Sequence, residues 1–199
     1  MSQYDRIEHP QGINKTYVRL LCWYLFKRYH LRPIKLLLDI GAGTGDYYKT
    51  FNDLGLNAYP SFWDLEGHWT PQAEVYDYVF CKSVLEHISN TQHFLSETKR
   101  ILNEGGLAIF LVPDWNSQWK SFYDDSTHIK PFTKKGLTQA LTLAGFEDVK
   151  CEYFYQLPFS WGWLWWVPHM LWFFPYKYRM LCKLIRFSKE RMLLGTGVK

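Results

Sequence analysis

The sequence predicts an α/β fold: a mostly parallel sheet with helices on both faces and an antiparallel strand at the C-terminal end. Three observations carry this. Short apolar runs (Lys35–Ile40, Val75–Cys81, Leu107–Val112) alternate with stretches of helical periodicity. The first run enters three glycines at alternate positions, Gly41, Gly43 and Gly45. The spacing between runs suits right-handed crossovers.

Ile13 to His30 places Val18, Leu21, Cys22, Leu25 and Phe26 on one helical face, and Pro33 ends the pattern. Lys35–Ile40 is a strand, its unbroken apolar character typical of a sheet covered on both sides. Asp46–Leu54 is a helix stopped by Gly55. Ala58–Trp63 is a short strand weakened by Pro60, and Val75–Cys81 is a stronger one. Ser89 or Asn90 caps a helix over Thr91–Leu102, and Gly105-Gly106 turns it into the strand Leu107–Val112, closed by Pro113. Phe132-Thr133 opens a helix to Ala144 with Gly145 as its cap, and Glu147–Tyr155 is a further strand. These elements divide the chain into an N-terminal helical segment (1–34), a ligand-binding core (35–155), an aromatic and basic insert (156–190) and a final strand (191–199).

At 199 residues one domain with a sizeable core is the default. The four cysteines are scattered, with no C-x-x-C and no Cys/His cluster, so the spacing carries no metal-site signature and suits a reducing, cytoplasmic setting. Residues 1–9 are polar and mixed in charge, unlike a secretory signal. The net charge of +4 is uneven: the segment 177–191 carries +5 and the remainder −1. A nucleic-acid-binding body is therefore not indicated.

The glycine run is G-x-G-x-G, with Asp46 where a dinucleotide-binding loop needs its third glycine, and no Gly-Lys-Ser/Thr ending follows. Asp39 adds a carboxylate two residues before Gly41. Acidic groups here repel a pyrophosphate and suit a cationic ligand, which disfavours a nicotinamide-dependent reductase. On these residues the chain resembles motif I of the class I methyltransferases, which bind S-adenosylmethionine, a nucleoside with an ammonium, a sulfonium and no phosphate. The stretch 76–88 (YDYVFCKSVLEHI) resembles motif IV of their ubiquinone-biosynthesis-like branch, and 100–107 (RILNEGGL) their helix–Gly-Gly–strand segment. Residues 125–133 (DSTHIKPFT), followed by Ala144-Gly145-Phe146, are similar to a stretch in relatives that modify sugars and surface glycans. Arg191–Gly195 resembles the closing antiparallel strand.

The resemblance implies a Rossmann-like sheet, S-adenosylmethionine as cofactor, and Asp39, Gly41, Ala42, Gly43, Gly45, Asp64, Leu65 and Lys82 as cofactor-side residues. The chain departs from the family after its second strand. Only 31 residues separate Gly45 from Asp77, short for two strands, two helices and their loops. Within the gap, Asp64-Leu65-Glu66 is the acidic cluster. It takes either the ribose role or the adenine-side role, with ribose favoured, because hydrogen bonds to a charged group are each worth about 1.5–3 kcal/mol.

Methyl transfer to a hydroxyl needs alignment, exclusion of water and a base. His128, with Asp125 as orienting neighbour, is the first candidate, and His87 the second. The implied acceptor is a sugar or lipid-linked glycan intermediate. The rivals are a small aromatic or quinone-like acceptor, and a catalytically degenerate binding protein, which the compressed segment motivates.

From Tyr153 to Tyr176 no Lys, Arg, Asp or Glu occurs, and five tryptophans do. Pro158, Pro168 and Pro175 argue against one spanning helix. The stretch Lys177–Glu190 then has the pattern of a basic amphipathic helix. Two readings stand: a peripheral contact with the anionic inner membrane face, or a lid over the site or a homodimer interface.

Overall fold

The computed structural model describes residues 14–61, 63–67, 69–71, 73–171, 173 and 187–199. Its strands are β1 (Leu36–Ile40), β2 (Asn57–Pro60), β3 (Tyr76–Lys82), β4 (Leu102–Pro113), β5 (Glu147–Phe154) and β6 (Met192–Val198). They form one six-stranded sheet in the order β2-β1-β3-β4-β6-β5. The pairs β1–β2, β1–β3 and β3–β4 are parallel, whereas β6 runs antiparallel between β4 and β5. The fold is the expected Rossmann-like sheet with its antiparallel C-terminal strand, and it ends at β2 on one side, as the short connection to Asp77 requires.

The apolar runs are explained by cover on both faces. Along β4, Ala108, Phe110 and Val112 face a cluster built on α3 (Thr91–Ile101) and, beyond the short α4 (Trp115–Gln118), on α5 (Lys134–Leu143). Ile109 and Leu111 face the opposite cluster, built on α1 (Lys15–Arg28) and α2 (Asp46–Asp53). The N-terminal helix is thus an integral part of one core layer. Its Val18, Leu21, Cys22 and Leu25 are almost wholly buried.

Several boundaries move, each for a physical reason. Helix α1 begins at Lys15 because the Asn14 side chain accepts from the N–H groups of Thr16 and Tyr17. Asn90, not Ser89, caps α3, accepting from His93 N–H. β2 spans Asn57–Pro60 rather than 58–63, paired residue for residue with Leu36–Asp39. β4 starts at Leu102, five residues before Leu107, because Leu102 pairs with Tyr76 while Leu107 pairs with Tyr78. The Gly105-Gly106 turn is thereby absorbed as a bulge inside the strand, with Gly105 at φ +73°.

The connection from β2 to β3 contains no strand among its described residues. It is held instead by side chains. Trp69 is 1% exposed, edge-on to Phe94 at 5.2 Å and 5.7 Å from Trp63. Glu66 accepts from the Ser89 N–H and hydroxyl at 2.6 and 2.8 Å, and Arg100 donates to the carbonyl of Pro71 at 3.1 Å. One buried indole and these polar ties fix the segment to α3.

The aromatic insert is not uniform. Trp161 packs inward, donating to the carbonyl of Tyr155 at 2.7 Å, stacking on Phe154 and lying tilted against Tyr24. Trp163, Trp165, Trp166, Met170 and Phe173, on and around the short α6 (Val167–Leu171), are exposed. No helix among the described residues is long and apolar enough to cross a membrane. The basic helix expected over Lys177–Glu190 lies outside the described residues up to 186; 187–189 are helical.

Candidate active site

The carboxyl ends of β1, β3 and β4 deliver the chemistry-bearing residues to one edge of the sheet, where ligands bind in folds of this kind. At the end of β1 the chain turns through Gly41, Gly43 and Gly45, all with positive φ. Gly41 has no room for a side chain: a Cβ would stand 2.3 Å from Val84 Cγ2. Ala42 closes the loop, its carbonyl accepting from Gly45 N–H at 2.7 Å. α2 starts immediately after, with Asp46 in its first turn accepting from the Thr44 hydroxyl at 2.6 Å. Gly41 and Gly43 are open to solvent, so the loop presents main chain, not side chains, to a ligand.

Asp39 lies beneath this loop. It is 2% exposed, and its carboxylate accepts from Tyr48 N–H in the first turn of α2 at 3.1 Å. Burial pushes its pKa up to about 8, with the Tyr48 hydrogen bond opposing the rise. Asp39 therefore ties strand to helix and sets the loop's shape from below.

The chain after β2 passes the same loop. Gly41 N–H donates to Ser61 Oγ at 3.1 Å, and Ser61 N–H donates to the carbonyl of Asp39. Three residues on, Asp64 is exposed and accepts from Glu66 N–H at 3.0 Å. Leu65 is half-buried and its carbonyl accepts from Trp69 Nε1. Lys82, at the end of β3, reaches Ser83 Oγ at 3.3 Å and sits over the Tyr47 ring. Of the residues expected on the cofactor side, Gly41, Ala42, Gly43 and Gly45 form the turn after β1, Asp39 lies beneath it, Asp64 and Leu65 follow β2, and Lys82 ends β3.

Past the end of β3 the structure brings together all three expected acceptor-side residues, although 37 positions or more separate His87 from the other two. The joining contact is backbone: Ile129 and Lys130 both donate N–H to the carbonyl of Glu86 at 3.0 Å. The His87 and His128 rings lie 4.7 Å apart, centroid to centroid. Asp125 Oδ2 is 3.8 Å from His128 Nε2, and Asp125 Oδ1 accepts from the Thr127 hydroxyl at 2.6 Å. Desolvation and the neighbouring His128 hold the His87 ring below the usual histidine range, against the raising effect of Thr127 and Asp125.

One feature of this cluster was invisible to sequence spacing. Glu86, fully buried in the short helical turn Leu85–His87, offers a third donor beside the two imidazoles. One ligating atom from each of Glu86, His87 and His128 lies within 4.8 Å of the other two. The sequence showed no metal signature because the three residues come from two segments far apart in the chain, joined by the Glu86 carbonyl and by contacts of His87 with Thr127 and His128.

A family profile described as a methyltransferase domain matches residues 17–151. An uncharacterized protein of Methanocaldococcus jannaschii is 31% identical over 150 residues, covering 67% of this chain and 64% of that protein. The chain thus spans slightly under two thirds of that relative's length. Among solved structures, a SAM-dependent methyltransferase from Archaeoglobus fulgidus aligns with a TM-score of 0.67 at 17% identity, covering all of both chains. The phosphoethanolamine N-methyltransferase 2 of Haemonchus contortus, in complex with S-adenosyl-L-methionine, aligns with a TM-score of 0.64 at 14% identity, covering 100% of this chain and 60% of that one. At these identities the structural likenesses speak for the fold.

Proposed function

This chain belongs to the class I S-adenosylmethionine-dependent methyltransferase family, and we propose that it transfers the methyl group to a hydroxyl of a sugar or lipid-linked glycan intermediate at an anionic membrane surface. The observation that carries this reading is the pairing of an open glycine loop at the end of β1 with the His87–His128–Asp125 cluster on the same sheet edge.

In this reading the N–H groups of the loop and of the first turn of α2 receive the methionine end of the cofactor. Asp64 takes the ribose hydroxyls, with Leu65 and Lys82 flanking the nucleoside. Asp39 supports the loop, and a cationic group above it favours its ionised form. Held there, S-adenosylmethionine would supply an electrophilic methyl group on sulfur, open to in-line displacement by the acceptor oxygen with the carbon–sulfur electrons going to sulfur. The hydroxyl proton passes to the histidine–carboxylate cluster.

The exposed aromatic surface favours a lipid-linked acceptor. Trp163, Trp165 and Trp166 are the side chains that prefer the membrane–water interface. In the sequence, Lys177, Arg179, Lys183, Arg186 and Lys189 follow within thirty residues, and a basic side chain near an anionic surface contributes about 1 kcal/mol.

The test has two parts. Calorimetry is expected to show one equivalent of S-adenosylhomocysteine bound, and a protein that binds none at millimolar ligand overturns the activity. Label from methyl-labelled S-adenosylmethionine is expected in the glycolipid fraction of a cell extract. Flotation with phosphatidylglycerol vesicles and recovery only in the soluble fraction would instead favour a small soluble aromatic acceptor, with the tryptophans as its lid.

A further inference from the structure

We infer that the cleft between α1 and α2 docks a second copy of this chain. The product is a twofold dimer in which Trp23 of each copy seats in the other's cleft and Arg19 of each pairs with Asp53 of the other. The inference goes beyond the methyl-transfer reading and does not depend on it.

The outward stripe of α1 is the first observation. Val18, Leu21, Cys22 and Leu25 point inward and are buried. Thr16, Arg19, Leu20 and Trp23 recur at spacings of three and four, so they share the opposite face. A helix face that only meets water is polar. Here Leu20 is 42% exposed and Trp23 53%. With Thr50, Asp53 and Leu54 at the end of α2, these residues line a cleft of about 410 Å³. Tryptophan and arginine are the side chains that most often carry the binding energy at the centre of an interface, each filling a pocket on the partner. On this surface the knob and the hole lie side by side.

The charges identify the occupant. Arg19 stands on the α1 wall of the cleft and Asp53 on the α2 wall, both exposed. Among the described residues neither takes part in an ion pair. A partner carrying one sign of charge satisfies one of them and repels the other. A half-turn about an axis through the cleft satisfies both, because in a twofold contact residue i meets j and j meets i. Crossed charges of this kind fix orientation and reject wrong pairings more than they add affinity. The indoles therefore supply the binding and the charges supply the register.

The contact falls at the end of α2 away from the glycine loop. Asp53 is the last residue of that helix and Asp46 the first, about 10 Å apart along the axis. Substitutions at Arg19, Trp23 and Asp53 thus test the dimer without touching the loop.

Sedimentation velocity of the full chain over about 1–100 μM is expected to show a reversible monomer–dimer equilibrium. A monomer throughout overturns the proposal. Trp23→Ala is expected to weaken the dimer at least about 30-fold, as a residue at the centre of an interface does, with an unchanged far-UV circular dichroism spectrum. A dimer of wild-type affinity in Trp23→Ala overturns the assignment of this face. Arg19→Glu and Asp53→Arg are each expected to be monomeric, because each sets like charges together twice. An equimolar mixture of these two variants is expected to form a heterodimer. In it the introduced acid meets the introduced base, and the untouched Arg19 of one copy meets the untouched Asp53 of the other. A mixture that does not associate overturns the crossed pairing.

Discussion

Arg191 donates from both Nε and Nη2 to the same oxygen, Oδ2, of Asp114, at 2.9 and 2.6 Å. Asp114 is wholly buried just past the end of β4, and Arg191 directly precedes β6. The arginine plane also lies 3.7 Å from the centroid of the Tyr153 ring on β5, and its own carbonyl accepts from the Asp114 N–H and the Gln118 side chain. The strand that returns antiparallel into the sheet is therefore locked at its first residue. The β4 end, from which the loop carrying Asp125 and His128 departs, is locked with it.

Arg191→Ala leaves the Asp114 carboxylate buried without this partner. Breaking a buried pair by removing one member costs about 3–5 kcal/mol, and the loss of packing on Tyr153 adds to it. Urea unfolding is expected to show a midpoint lowered accordingly with an unchanged slope. Arg191→Lys is expected to recover only part of the loss, because an ammonium cannot make the two-nitrogen contact. A wild-type midpoint in Arg191→Ala would mean that β6 is held by its ladder alone.

The legible parts of this protein are those where local pattern and tertiary role coincide. Leu36–Ile40 is an apolar run because the sheet is covered on both faces, and Thr133 opens α5 because its hydroxyl accepts from Gly136 N–H. The start of β4 was not legible, since pairing of Leu102 with Tyr76 depends on a partner strand and not on the residues 102–106 themselves. Trp69 was not legible either: nothing local distinguishes a tryptophan that replaces a missing strand from one that faces solvent, such as Trp163. At the site, motif I and the two histidines could be read from the sequence. Their meeting could not, because it depends on the Glu86 carbonyl binding the backbone of Ile129 and Lys130.

Gly41→Ala tests whether the loop tolerates any side chain. The residue sits at φ +70°, where an L-residue costs about 1–2 kcal/mol. Its methyl would also meet Val84 Cγ2, a stiff branched side chain that is mostly buried. A loss of at least about 2 kcal/mol is expected, since overpacking alone costs about 1–3 kcal/mol. S-adenosylhomocysteine binding should weaken at the same time. The double variant Gly41→Ala/Val84→Ala removes the clash but not the backbone strain, so part of the binding should return. Equal binding by wild type and Gly41→Ala would show that the ligand does not approach this loop.

Asp39 makes stability depend on pH in a direction opposite to that of most carboxylates. Its folded pKa, near 8, lies above the ordinary value of 3.8 because the side chain is buried. Between those values the folded protein keeps a proton that the unfolded chain has released. The unfolded state then binds fewer protons, so stability falls as pH rises through the window and levels off above the folded pKa. In Asp39→Asn the amide oxygen can still accept from Tyr48 N–H, and no proton is gained or lost at this position. Unfolding midpoints measured from about pH 5 to about pH 8 should fall in the wild type and fall less in Asp39→Asn. His87 titrates in the opposite sense: its folded pKa is lowered, so its contribution is lost as pH drops through the ordinary histidine range. That effect is confined to the acidic end of the same curve and is common to both proteins. The difference between the two curves therefore isolates Asp39, and parallel curves would show that its carboxyl is ionised beneath the loop across the whole range.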